Sequence, residues 1–139
     1  MDSYFGPLLF GFGGRINRGR YWMAVLAYTS MMIAVVGLGF FFQFHLLFML
    51  LAALVLLILM VSGVAVGTKR LHDRDKSGWW LLLFYLAPPM LNGLGKMTGV
   101  PLVFGLASFA VSIWALIELG FLRGTSGPNQ YGPDPLDVR

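Results

Sequence analysis

Long runs without charge dominate the chain. Between Arg20 and Lys69, 48 consecutive residues carry no charged side chain. As helix they would extend about 72 Å at 1.5 Å per residue, while one bilayer crossing takes roughly 20 residues. Two membrane helices fit that run. Its one strongly polar interruption is Gln43-Phe44-His45, so the pattern predicts spans at 21–43 and 45–68 joined by a tight turn. The second of these holds 14 Leu, Ile, Val or Phe side chains and no charge, a composition that strongly favours insertion. A third uncharged stretch, 77–95, contains Pro88, Pro89 and Asn92 and is expected to kink or break near the prolines. A fourth, 100–122, has Glu118 as its one charge.

Composition agrees with this division. Of 139 residues 58% are hydrophobic and 12% charged, against about 25% charged in soluble domains. That leaves no polar surface for a separate soluble catalytic domain. The expected fold is therefore a single membrane domain, 1–139, an all-α integral membrane four-helix bundle. The absence of cysteine removes disulfides, thiolate metal sites and cysteine nucleophiles.

Charge placement orients the bundle. Arg15, Arg18 and Arg20 precede the first span, Lys69, Arg70, Arg74 and Lys76 join the second to the third, and Arg123 and Arg139 follow the fourth, leaving Lys96 for the other side. The positive-inside rule then predicts both termini and the central loop in the cytoplasm. The start of the chain lacks the basic n-region and cleavage site of a signal peptide, so the first span is expected to stay as an anchor. Residues 1–20 form a cytoplasmic or interfacial segment, in which apolar residues 4–12 are too short to cross. Tyr21-Trp22 and Trp79-Trp80 stand where interfacial aromatic belts occur. The tail, 123–139, is rich in Gly, Pro and Asn and is expected to be extended rather than helical.

Candidate chemistry gathers at the predicted cytoplasmic ends. In Lys69-Arg70-Leu71-His72-Asp73-Arg74-Asp75-Lys76-Ser77, helical spacing would set Arg70 against Asp73 and Arg74, with Ser77 placed to cap the third helix. The cluster reads either as an anion site for a lipid phosphate or as a topology-setting loop closed by salt bridges. Arg15 and Arg18 would share a face if their segment is helical, and guanidinium forks suit phosphate. His72 beside Asp73 invites a general base or a metal ligand, but a metal wants three or more ligands, and the residues call for neither metal nor cofactor. Glu118 lies about 7 to 8 Å from the cytoplasmic edge. It reads as a functional acid or as a structural ion pair with Arg70, Arg15 or Arg123, with Trp114 packed beneath the pair. Gly63-Val64-Ala65-Val66-Gly67 and the Ser108 to Ser112 spacing predict close helix contacts.

Three segments together carry a resemblance. These are Phe12-Gly13-Gly14-Arg15-Ile16-Asn17-Arg18 with Tyr21-Trp22, then Arg70-Leu71-His72-Asp73-Arg74 with Ser77-Gly78-Trp79-Trp80, and then Gly127-Pro128-Asn129-Gln130-Tyr131-Gly132-Pro133-Asp134-Pro135. In order and spacing the chain resembles the bacterial inner-membrane family known as domain of unknown function 805, the YhaH-like proteins. The resemblance implies a small four-span inner-membrane protein and implies no reaction. By the charge argument the three segments share one membrane face, so Arg15, Arg18, Arg70, His72, Asp73, Asn129 and Tyr131 are expected to converge.

The leading functional expectation is a non-enzymatic membrane protein. Its polar cluster, including Arg74, Ser77 and Glu118, would bind an anionic membrane lipid or a membrane-protein partner, with a homo-oligomer also open. A nucleic-acid role is not expected, because the basic residues form no long stripe. The alternative is a small-solute transporter or channel component with Glu118, Asn92 and the Pro-Pro break lining a path. A headgroup-directed enzyme using His72 and Asp73 comes third. Throughout, the bland reading is a structural cluster that fastens loop, tail and helix ends.

Overall fold

The computed structural model describes residues 9–137. Most of the apolar opening expected at the interface, residues 4–8, lies outside them, as does Arg139. After two helical residues, 9 and 10, four helices follow among the described residues: α1 Arg18–Phe41, α2 Leu46–Asp73, α3 Trp80–Thr98 and α4 Pro101–Leu116. A π-helical turn, Ile117–Phe121, continues α4. Among the described residues the extended pairing is one isolated bridge, between Asn129 and Gly132. By length and apolarity α1, α2 and α4 with its π-helical continuation can cross a membrane. α3 is 19 residues long, but its prolines, Asn92 and Lys96 leave it less apolar.

Helix ends differ from the expected spans for local reasons. α1 begins at Arg18 because the Asn17 side chain accepts a hydrogen bond from Arg20 N at 2.9 Å, satisfying one of the open amides of the first turn. Residues 11–17 are not helical, so Arg15 and Arg18 do not share a helix face. α1 stops at Phe41, where Gln43 and Phe44 take positive φ (49° and 50°). The Phe44 ring folds back over Gly39, and a Cβ there would come within 2.5 Å of Phe44 Cε1, so any side chain at 39 would displace the ring. α2 runs on to Asp73, five residues past its apolar run. α3 starts at Trp80, and Ser77 is therefore not its N-cap; the Ser77 Oγ accepts from Trp79 N at 3.3 Å instead. Helix α3 continues through Pro88-Pro89 without a break. There the Asn92 amide donates to Ser108 Oγ (3.1 Å), which donates to the Pro88 carbonyl (3.2 Å). These groups thus satisfy one another between α3 and α4.

The helices pack as two hairpins, α1 with α2 and α3 with α4, which meet at one end. There α2 touches α3 and the π-helical turn, and α1 touches the same turn. Leu71, Leu81, Phe84 and Leu119 form the core, flanked by Tyr21, Val64, Val111 and Ala115. Gly67 brings α2 against α3: a Cβ there would stand 3.0 Å from Leu81 Cδ2, while Gly63 faces open space. Only one glycine of that pair therefore makes a close contact. Away from the junction the helices present bare apolar flanks such as Leu47, Leu50, Leu54 and Leu57, as a lipid-facing surface does. The tail, 124–137, contains no helix and folds through turns onto the joined end.

Candidate functional site

The joined end is built around Asp73, the last residue of α2. Its Oδ1 accepts from Arg15 Nε (3.2 Å) and Nη2 (3.0 Å), and its Oδ2 accepts from Arg70 Nη1. All three side chains are buried; Arg70 is 0% exposed. A buried ion pair is costly unless its remaining donors are matched, and here they are. Arg15 Nη1 donates to the carbonyls of Gly127 (2.7 Å) and Gly132 (3.3 Å), and its Nη2 also donates to Thr125 O (2.6 Å). One arginine thereby ties the segment before α1 to the end of α2 and to the tail.

Two arginines against one carboxylate leave an excess positive charge, which the end of α4 meets. A helix C-terminus carries partial negative charge on its last carbonyls, which lack intrahelical partners. Five consecutive carbonyls here receive side-chain donors. Leu119 O accepts from Arg70 Nε (2.7 Å), Gly120 O from Trp22 Nε1 (2.9 Å) and Phe121 O from Arg18 Nη1 (3.3 Å). Leu122 O accepts from Arg70 Nη2 and Arg123 O from Arg74 Nη1. In an apolar solvent each open carbonyl would cost several kcal/mol, which gives a physical reason for aiming three arginines and a tryptophan at this end.

The tail is held by further bonds. Thr125 N donates to Asp73 O (2.8 Å), and the Asn129 amide donates to His72 O (2.9 Å) and to Thr125 Oγ1 (3.0 Å). Tyr131 lies flat on His72, with ring centroids 3.8 Å apart and planes 3° from parallel. His72 Nδ1 is 3.2 Å from the Gly14 carbonyl; a carbonyl only accepts, so this nitrogen carries the proton. At the edge Gln130 Nε2 donates to Asp75 Oδ1 (3.1 Å).

Glu118 forms an adjoining cluster. Its Oε1 is 3.0 Å from both Arg74 Nε and Lys76 Nζ, rather than paired with Arg70, Arg15 or Arg123. Arg70 and Arg15 are occupied by Asp73 and backbone carbonyls. Lys76 also sits 5.2 Å over the Trp80 ring, which meets Trp114 edge-on at 5.6 Å. Trp114 thus lies under the ion pair through Trp80. The structure brings together Arg15, Arg70, His72, Asp73, Asn129 and Tyr131, places Arg18 at the rim and Arg74 with Glu118 beside them, and leaves Ser77 apart.

Several participants escape the sequence reading. Trp22, Lys76 and Thr125 join through contacts that no spacing announces. Gly124 lies so close to Asp73 that a Cβ would stand 2.1 Å from Oδ2. Asp134 is the one whose signal was present, in the turn sequence Pro133-Asp134-Pro135. Its carboxylate accepts from Leu136 N (2.9 Å) and Gly127 N (3.0 Å). The Leu136 amide above all, then the Gly127 amide and nearby Arg15 and Arg123, hold it below the usual aspartate range, against some desolvation. A carboxyl whose pKa falls on folding favours the folded tail above its ordinary pKa, and that contribution is lost as pH falls through the lowered value. In an NMR titration the amide signals of Gly127 and Leu136 are expected to move together, with a midpoint below that of an exposed aspartate, and to stay flat in Asp134→Asn.

A cleft of about 420 Å³ opens beside this clasp, and Asn17, Arg18, Arg123, Thr125 and the two acids Asp73 and Asp134 are among the residues that line it. Arg18 uses one guanidinium donor on Phe121 O, and Arg123 is exposed.

Comparison with known proteins places the whole chain. No solved structure matches it. Residues 9–133 match the family model described as "Protein of unknown function (DUF805)". The chain is 34% identical over 134 residues to "Uncharacterized protein YiiR" of Escherichia coli K12, covering 94% of this chain and 90% of that protein. It is 35% identical over 128 residues to "Inner membrane protein YhaI" of the same organism (90% and 86%), and 29% identical over 148 residues to "Inner membrane protein YhaH" (97% of each). The names of these relatives state no enzymatic activity. The extent of the family match and the coverage of these relatives lead to one conclusion: the chain belongs to the DUF805 family of proteins of unknown function.

Proposed function

We propose that the protein is a non-enzymatic, multi-pass inner-membrane protein whose cytoplasmic face binds the headgroup of an anionic lipid. In this reading all four helices cross and both termini are cytoplasmic, because nine of ten basic residues then share one side. α3 crosses as the partner of α4, its polar groups satisfied within that hairpin. The binding site is the cleft, not the clasp. Arg15 and Arg70 have committed their guanidinium donors to Asp73 and to backbone carbonyls, so they act as fasteners. The observation that carries the proposal is that Arg18 and Arg123 both line a cleft of about 420 Å³, at the level where α1 leaves its basic flank. Basic residues near an anionic leaflet contribute about 1 kcal/mol each, and a guanidinium fork matches a phosphate diester.

Native mass spectrometry from mild detergent tests this reading, comparing wild type with Arg18→Ala/Arg123→Ala. Wild type is expected to retain a phospholipid, anionic in preference to zwitterionic, which the double variant loses. Equal retention in both, a bare wild type, or co-release of a protein in place of lipid would each overturn it.

A further inference from the structure

Two hydroxyls deep within the apolar helices play no part in the cleft or the clasp. Ser62 stands on α2 seven residues before Lys69 and sixteen after Leu46, about 10 Å below the first charge of that helix and about 24 Å from its far end. Tyr28 stands on α1 eight residues beyond Arg20, about 12 Å in. Both therefore lie at a level that a hydrocarbon layer of about 30 Å would enclose. Their oxygens are 2.7 Å apart, and Ser62 Oγ donates to the carbonyl of Leu9 at 2.8 Å. A serine has one hydroxyl proton, so with Leu9 as its acceptor the Tyr28 hydroxyl is the donor to Ser62.

The segment before α1 thus reaches well below the clasp. From Leu9 beside Ser62 it rises along α2 to Gly14, whose carbonyl meets His72, and Ile16 N donates to Lys69 O at 3.4 Å. The residues on the way are Leu9-Phe10-Gly11-Phe12-Gly13, with no charge among them. Phe10 and Phe12 are about half exposed (47% and 49%), so neither is taken up by the protein's own core. Leu9 and Phe10 are helical and residues 11–13 are not; backbone that leaves a helix at membrane depth is tolerated only where neighbouring groups satisfy it, and Ser62 does so for the Leu9 carbonyl.

We infer, resting on the orientation proposed above, that residues 9–13 form an arm inserted into the cytoplasmic leaflet, with Phe10 and Phe12 against lipid chains and the Tyr28–Ser62–Leu9 relay holding its backbone. This differs from a segment lying flat in the interface. It gives Tyr28 and Ser62 a role that neither the clasp nor the cleft supplies. The arm is tied to the clasp through Gly14, which takes φ +83°, and through Arg15. The partner of this surface is the acyl region of the bilayer.

The cysteine-free chain makes the test direct. Phe10→Cys and, as an aqueous reference, Gln130→Cys are treated with a membrane-impermeant maleimide in whichever vesicle orientation exposes the reference. A thiol in hydrocarbon is kept from its reactive thiolate, each unit of raised pKa slowing it about tenfold. Phe10→Cys is expected to react at least about tenfold more slowly than the reference in membranes. Adding Ser62→Ala is expected to speed the Phe10→Cys reaction while leaving Gln130→Cys and the helix content seen by circular dichroism unchanged. Equal rates in membranes would overturn the inference. No acceleration on adding Ser62→Ala would overturn the relay.

Discussion

Arg70→Ala is expected to undo the joined end of the two hairpins. The side chain is fully buried and supplies donors to Asp73, Leu119 O and Leu122 O. Removing it strips Asp73 of one of two cations and leaves two carbonyls of the π-helical end open in a site closed to water. Breaking a buried pair in this way costs about 3–5 kcal/mol. Because the hairpins touch at this end and not along their length, the loss falls on the contact that holds them together. The expected result is a large drop in thermal stability of the detergent-solubilised protein, with the tail released to protease. Arg70→Lys should recover part of it, since one ammonium can meet Asp73 but cannot reproduce the planar fork that spans two carbonyls as well. Lys96→Ala, an exposed change at the far end of α3, should leave stability unchanged. A melting curve for Arg70→Ala that overlays the wild type would contradict this account of the clasp.

Gly124→Ala is expected to detach the tail by a different route, leaving every charge in place. A Cβ at 124 would stand 2.1 Å from Asp73 Oδ2 and 2.5 Å from Cγ. Such a contact is cheap when the neighbour is a flexible side-chain end, but this carboxylate is pinned by two arginines. Either the ion pairs loosen or the chain at 124 moves outward, carrying Thr125 off Asp73 O. Overpacking of this kind costs about 1–3 kcal/mol. Limited proteolysis should cut the variant between Arg123 and Asn129 much faster than the wild type, while the helix content seen by circular dichroism stays the same. Gly127, where a Cβ would meet nothing within 4 Å, is the contrast. There the strain comes from its positive φ of 73°, and the expected loss from Gly127→Ala is smaller.

The fold was legible where charge is absent. Helices α1 and α2 follow from a run that admits no charged residue, with the Gln43-Phe44-His45 turn at its one strongly polar break, and α4 from a run whose one charge is Glu118. The gathering of Arg15, Arg70, His72, Asp73, Asn129 and Tyr131 was legible because topology sends their three segments to one end. Individual partners were not. Glu118 meets Arg74 and Lys76 because Arg70 is engaged by carbonyls of a π-helical turn, and nothing in Ile117-Glu118-Leu119-Gly120-Phe121 announces that turn. The role of Gly124 was equally hidden, since a glycine in a Gly-rich tail reads as turn chemistry until Asp73 is found beside it. Ser62 reads as one more small residue on an apolar helix until Leu9 comes to lie against it.

The central claim is that the tail and the end of α2 form one fastened unit in the membrane. Asp75 and Gln130 test it with least disturbance, because both are exposed and their side chains touch at 3.1 Å at the edge of the clasp. In Asp75→Cys/Gln130→Cys, treated in native membranes with a short bifunctional thiol reagent, the account predicts a single bridging linker in the intact mass and no free thiol. Two independently modified thiols, each carrying its own reagent molecule, would contradict it.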